Sequence, residues 1–137
     1  MLVVDASAVA ELLLGRPAAA AVAQQLTDHN YDLHAPHLID VEVLSALRRV
    51  VAAGVATAPR GDAAVADFLD LPVERHPHDV LVPRVWELRE NFSSYDATYV
   101  ALAESLADEP SPLLTADARL ARAAREHTEI AVLLVDA

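Results

Sequence analysis

Four carboxylates, those of Asp5, Glu42, Asp96 and Asp117, are the side chains of this sequence best placed for chemistry. Asp5 ends the apolar run 2–4, where aspartate is depleted and has no helix dipole to complement. Open α/β folds bind ligands at the carboxyl ends of parallel strands. An all-oxygen cluster suits Mg²⁺ or Mn²⁺, which can activate water to attack a phosphodiester. The residues therefore predict a metal-dependent nuclease.

Three of these acids also have a purely structural explanation. Asp96 lies in line with the apolar positions of a predicted helix, where an unpaired charge is costly, but a first-turn acid also complements the helix dipole. Glu42 stands near the start of its helix, and Asp40 beside it is an alternative functional acid. Asp117 follows Thr115 and fits an ordinary helix start. Asp5 is the strongest candidate of the four.

Strands and helices alternate along the chain. Short apolar runs predict strands over 2–4, 32–35, 72–75, 112–115 and 130–135. Apolar periodicity and capping residues predict helices over 7–14, 17–26, 38–53, 61–71, 79–91, 94–107 and 117–125. Such strands indicate a mainly parallel sheet of about five strands, covered by helices on both faces.

This topology would gather the four acids. The first strand and the strand before Asp117 are predicted to be neighbours at a switch point, which sets Asp5 beside Asp117. Helices that begin at the same rim would bring in Glu42 and Asp96. Four carboxylates so close cannot all remain ionised without a compensating cation.

Length and composition predict one small α/β domain over residues 1–137. No uncharged apolar run approaches the roughly 20 residues of a membrane span. No basic segment precedes Leu2, and Asp5 interrupts the first apolar run, so we expect no signal peptide and a cytoplasmic location.

The charged residues narrow the function classes. Cysteine is absent, which excludes thiolate catalysis and cysteine-ligated metal sites. All 10 basic residues other than histidine are arginine, so enzymes that need a lysine, such as P-loop NTPases, receiver domains and haloacid-dehalogenase-type phosphatases, fit poorly. The net charge of −11 has two explanations, a solvated acidic surface or a carboxylate cluster that a metal neutralises.

The histidines offer a weaker candidate site. His34 with His37, or His76 with His78, could form zinc pairs. A proline separates the members of each pair, however, and no cysteine completes a site. Solvated or capping roles are therefore predicted for these side chains.

Other features also have two explanations. Arg119 and Arg122 follow Asp117 on one predicted helix and are candidate phosphate contacts, although a solvated arginine face is the commoner explanation. Trp86 and Leu88 are predicted to lie in the core rather than to stack on bases.

Four segments resemble PIN-domain ribonucleases, specifically the VapC-type toxins of bacterial toxin–antitoxin pairs. They are spread over nearly the whole chain and comprise Val4-Asp5-Ala6-Ser7, the region from Pro36 through Glu42-Val43 to Leu47-Arg48, Tyr95-Asp96-Ala97-Thr98-Tyr99 with Leu102-Ala103, and Leu114-Thr115-Ala116-Asp117. The resemblance implies a three-layer α/β/α sandwich and RNA cleavage. It also implies Mg²⁺ or Mn²⁺ on the four acids, with Ser7 and Thr115 orienting the ligands or water.

The same resemblance implies partners. It predicts a homodimer, a cognate DNA-binding, VapB-like antitoxin, and a higher-order complex of the two proteins. The alternative from another class is a catalytically silent PIN-like or flavodoxin-like module that acts through a protein partner.

Overall fold

A computed structural model describes residues 1–136. The strands are β1 (Leu2–Val4), β2 (Leu33–Pro36), β3 (Val73–His76), β4 (Leu113–Thr115) and β5 (Val132–Leu134). The helices are α1 (Ala6–Leu13), α2 (Ala19–Asp28), α3 (Ile39–Ala52), α4 (Ala58–Asp70), α5 (Val82–Glu87), α6 (Ser94–Ser105) and α7 (Ala118–His127). Within the described residues, none of these helices has the length and apolarity that a membrane span requires.

The five strands form one parallel sheet in the order β3-β2-β1-β4-β5. β1 is central, with Leu2 opposite Leu33 of β2 on one side and Val4 opposite Leu114 of β4 on the other. The chain winds outward from β1 to β3, then returns to the other side of β1. The predicted switch point between β1 and β4 is therefore confirmed, and it sets the ends of these two strands side by side.

Helices cover both faces of the sheet. Leu2 and Val4 point into a core that includes buried side chains of α1 to α4, whereas Val3 between them points into a second core with α6 and α7. This alternation follows from the two-residue period of a strand. The three-layer α/β/α sandwich is confirmed.

Two predicted helices differ from the structure by more than two residues at one end or both. α4 begins three residues earlier than predicted, because the Thr57 hydroxyl accepts a hydrogen bond from the backbone N–H of Arg60 and caps the helix. The helix predicted over 79–91 is instead a 3₁₀ turn, Asp79–Leu81, followed by the short α5. Pro83 in the first turn of α5 fits this restart, because proline suits the start of a helix and not its interior.

The prediction that Trp86 lies in the core is wrong. Its side chain is 67% exposed, and the Arg89 guanidinium stacks 4.5 Å from the ring centroid. Leu88 is buried, as predicted. An apolar pattern on so short a helix does not define which face is covered, and here the indole lies outward.

Candidate active site

Asp5 lies directly after β1 and is the N-cap of α1. Its Oδ2 accepts hydrogen bonds from the Thr115 hydroxyl at 2.6 Å and the Ser7 hydroxyl at 2.8 Å. Its Oδ1 accepts a longer bond from the Ser7 backbone N–H. Only 8% of the residue is exposed. Side chains from the end of β4 and the first turn of α1 thus hold this carboxylate in one orientation.

Burial raises the pKa of Asp5, because the charged form loses its hydration. The hydrogen bonds from Thr115 and Ser7 oppose this shift, since they favour the carboxylate, and the nearby Asp117 reinforces it. Asp5 is therefore a buried acid that a neighbouring cation would help to ionise.

Asp117 lies just beyond β4 and is the N-cap of α7. Its Oδ1 accepts from the backbone N–H groups of Arg119 and Leu120, at 2.9 and 3.2 Å. Its own backbone N–H donates to the Thr115 hydroxyl. The structural explanation for this acid is thus correct, and it does not exclude a second role, because Asp117 also lines the cleft described below.

Glu42 occupies the first turn of α3. Its Oε1 and the Tyr99 hydroxyl are both buried, and among residues 1–136 neither makes a hydrogen bond of regular geometry, although the two groups interact. Burial raises the pKa of Glu42, the interaction with the Tyr99 hydroxyl opposes this shift, and the Asp5 and Asp96 carboxylates reinforce it. A carboxylate buried in this way is costly without a strong partner, so a cation beside Glu42 would stabilise it.

Asp96 occupies the first turn of α6, where the Ser93 hydroxyl caps its backbone N–H at 3.1 Å. Burial is the main cause of the raised pKa of Asp96, and the Asp5 and Asp117 carboxylates add to it. The Arg119 guanidinium acts in the opposite direction.

The four acids line one cleft of about 580 Å³ at the carboxyl end of the sheet, together with Ser7. Each comes from a different segment of the chain: the end of β1, the starts of α3 and α6, and the end of β4. The fold therefore brings together residues that are far apart in sequence. All four donors are carboxylates, the ligands that Mg²⁺ and Mn²⁺ prefer.

The structure distinguishes Glu42 from its neighbour. Asp40 is directed elsewhere and forms an ion pair with the Arg75 guanidinium at 2.8 Å. Asp40 is absent from the lining of the cleft, whereas Glu42 belongs to it. Glu42 is thus the acid of this helix that faces the other three.

The two predicted phosphate contacts are placed differently. Arg119 lines a second, smaller pocket that shares Asp96 with the cleft. Arg122 is exposed on α7 and is absent from the lining of both pockets.

Three polar side chains of the cleft were not predicted from the sequence. Arg49, Ser45 and Tyr95 line it beside the acids. Ser45 and Arg49 follow Glu42 at i+3 and i+7, the spacing of one helix face, so this signal was available. Arg49 supplies a positive charge in an otherwise acidic cleft.

The predicted solvated or capping roles are wrong for His34, which is buried, and correct for His78, which is exposed. His34 is 5% exposed and lies 2.9 Å from His76, a pairing across two strands that was not predicted. His78 has a capping role, since its Nε2 accepts a hydrogen bond from the backbone N–H of Leu38 at the start of α3.

Comparisons with known proteins identify the family of this chain. The model of the PIN domain family matches residues 2–126. The chain is 42% identical over 130 residues to Ribonuclease VapC12 of Mycobacterium tuberculosis, which covers 95% of this chain and 97% of that protein. It is 41% identical over 133 residues to VapC ribonuclease Mb0985 of Mycobacterium bovis, covering 97% and 98% of the two chains.

A solved structure shows the same fold. The crystal structure of PAE2754 from Pyrobaculum aerophilum is similar with a TM-score of 0.66 and 25% sequence identity, over 96% of this chain and 81% of that one. The family model, the relatives and the fold agree on one family. The chain belongs to the PIN-domain family and, within it, to the VapC ribonucleases.

Proposed function

We propose that this protein is a Mg²⁺- or Mn²⁺-dependent endoribonuclease that acts as the toxin of a toxin–antitoxin pair. One observation carries the proposal: four carboxylates from four segments of the chain line a single cleft on a PIN fold. The names of the relatives, which are called ribonucleases, support RNA as the substrate. The buried Glu42 oxygen, which makes no hydrogen bond of regular geometry among residues 1–136, favours a cation-binding cleft over a catalytically silent module.

Asp5, Glu42, Asp96 and Asp117 would hold the metal. When bound, Mg²⁺ or Mn²⁺ supplies Lewis-acid stabilisation of the phosphodiester and lowers the pKa of the attacking water. The chain's own contribution is to orient the ligands. Thr115 is central to this task, since its hydroxyl donates to Asp5 and accepts from the backbone N–H of Asp117.

Arg49 and Tyr95 would hold the RNA at the cleft. The Arg49 guanidinium matches a phosphate in charge and shape. The Tyr95 ring, 61% exposed beside Asp96, presents a face on which an unpaired base can stack. Arg119 would support a phosphate next to Asp96. Arg122, farther along the same helix, remains a candidate for a more distant phosphate.

The partners follow from charge and family. A chain of net charge −11 with an acidic cleft attracts a basic segment, which fits a cognate VapB-like antitoxin with a DNA-binding part. We propose that such a segment silences the enzyme by placing an arginine or lysine among the four carboxylates. A homodimer in the cytoplasm, assembled with antitoxin into a larger complex, completes the proposal.

Removal of one carboxylate should abolish cleavage. Asp96→Asn keeps the shape of the side chain but removes a charged ligand, so RNA cleavage in Mn²⁺ should fall by more than about 10²-fold, or about 2.7 kcal/mol of transition-state stabilisation. Asp67→Asn, on the exposed face of α4, is the control and should cleave normally. If the wild-type protein cleaves no RNA, the enzyme assignment fails. If folded Asp96→Asn cleaves at the wild-type rate, the assignment of Asp96 to the active site fails.

The buried, neighbouring carboxylates should destabilise the metal-free protein as pH rises. Because the folded pKa values of Asp5, Glu42 and Asp96 are raised, the stability these groups contribute is present below their unfolded pKa values and lost as pH rises through the folded ones. Without metal, the difference in melting temperature between Asp96→Asn and the wild type should therefore change with pH. It should shift in favour of the variant by a few degrees between about pH 4 and pH 7.

Mn²⁺ at a hundredfold excess over its Kd should then stabilise the wild type by about 2.7 kcal/mol. The doubly substituted Asp5→Asn/Asp96→Asn protein should gain almost nothing. Calorimetric melting curves measure both effects. An equal gain in the two proteins would show that Mn²⁺ binds a general acidic surface.

Arg49 should contribute to RNA binding more than to the chemical step. Arg49→Gln should raise KM about tenfold, leave kcat near the wild-type value and reduce the dependence of KM on salt, because one phosphate contact is lost. Arg48→Gln is a matched control, since its side chain lines the pocket between α3 and α4. Equal effects of the two substitutions in steady-state kinetics would contradict the assignment.

A neutralising partner should copurify with the protein. We expect the adjacent gene to encode the antitoxin. Its co-expression should restore cell growth, yield a complex and reduce RNase activity by more than about tenfold. Charge complementarity should speed the association and make it dependent on salt. Undiminished toxicity without a copurifying complex would exclude that neighbour as the inhibitor.

A further inference from the structure

Three possible metal ligands lie together on β2 and β3, apart from the acidic cleft. In the parallel register His34 is opposite Glu74, and His76 lies two residues farther along β3, so the three side chains share one face of the sheet. His34 Nδ1 lies 2.9 Å from His76 Nε2 and 3.4 Å from a carboxylate oxygen of Glu74. One nitrogen or oxygen of each lies within 4.8 Å of the others.

The protonation of His34 is determined by its other neighbour. Its Nε2 lies 2.7 Å from Oδ1 of Asp32, and because a carboxylate only accepts, Nε2 carries the proton. The hydrogen bond from His34 lowers the pKa of Asp32 and keeps it ionised. In the neutral ring, the Nδ1 atom of this residue, which is 5% exposed, therefore directs a lone pair at His76 and Glu74.

These distances resemble those of a zinc site. Nitrogen ligands about 2.0–2.1 Å from a tetrahedral Zn²⁺ are separated by about 3.3–3.4 Å. The separations of 2.9 and 3.4 Å around His34 Nδ1 require only a small opening of the two rings. A histidine ligand usually donates its second ring N–H to a carboxylate, as His34 does to Asp32.

We propose that His34, Glu74 and His76 form a Zn²⁺ site that joins β2 to the edge strand β3. The ion takes the place of the hydrogen atom between His34 Nδ1 and His76 Nε2. The proton that His76 carried on Nε2 moves through solvent to Nδ1 of the same ring. Three protein ligands leave one coordination position for water. Glu74 has a side-chain exposure of 68%, so the ion can enter from solvent.

The chemistry of these three ligands favours Zn²⁺ over the Mg²⁺ or Mn²⁺ proposed for the acidic cleft. Imidazole nitrogen suits zinc, whereas Mg²⁺ prefers oxygen ligands. The site does not depend on the proposed nuclease function, and its failure would leave the four acids unaffected.

The experiment uses untagged protein in the Asp5→Asn/Asp96→Asn background, which removes competition from the cleft. Zn²⁺ in hundredfold excess over its Kd should raise the melting temperature by about 5–10 °C. His76→Gln should remove this shift, while His127→Gln, on the distant α7, should retain it. His76 is partly exposed, so this substitution is safer for folding than one at the buried His34.

X-ray absorption at the zinc edge, on the Asp5→Asn/Asp96→Asn protein with one equivalent of Zn²⁺, gives a second readout that does not depend on stability. Scattering from two imidazole rings, lost in His76→Gln, is the expected result. An all-oxygen shell, or equal zinc stabilisation of His76→Gln and its parent, would overturn the proposal.

Discussion

The hydrogen bonds that the Thr115 and Ser7 hydroxyls donate to Asp5 are the contacts on which the cleft depends. The bond from Thr115 joins the ends of β1 and β4 beyond the backbone hydrogen bond from the N–H of Asp5 to the carbonyl of Leu114, and the bond from Ser7 comes from the first turn of α1. Burial alone would favour the protonated acid, and the two hydroxyls favour the carboxylate. Asp5 is thus held in one orientation without metal, so the proposed cation would bind with little reorganisation.

The positions of the first and last acids could be predicted from the sequence, because apolar runs mark the ends of strands and parallel topology brings those ends together. Asp5 and Asp117 follow β1 and β4, which are neighbours in the sheet. The choice between Glu42 and Asp40 could not be made in this way. Residues two apart on a helix point in different directions, and only the packed structure shows that Arg75 holds Asp40 away from the cleft.

Contacts across strands account for much of what the sequence did not reveal. His34 and His76 are 42 positions apart, and their contact depends on the register of β2 against β3, which apolar patterns do not define. Histidines paired by proximity in sequence therefore gave the wrong partners. Trp86 shows a related limit, because whether an apolar face is covered depends on the neighbouring elements and not on the helix itself.

We propose that the four carboxylates of the cleft hold a divalent cation. Anomalous X-ray diffraction from crystals soaked in Mn²⁺ can show this, because the signal locates manganese without reference to activity. The expected result is a peak in the cleft, about 2.0–2.4 Å from oxygens of Asp5 and at least one of the other three acids. The claim would be contradicted by the absence of a peak there at saturating Mn²⁺, or by manganese bound only at His34 and His76.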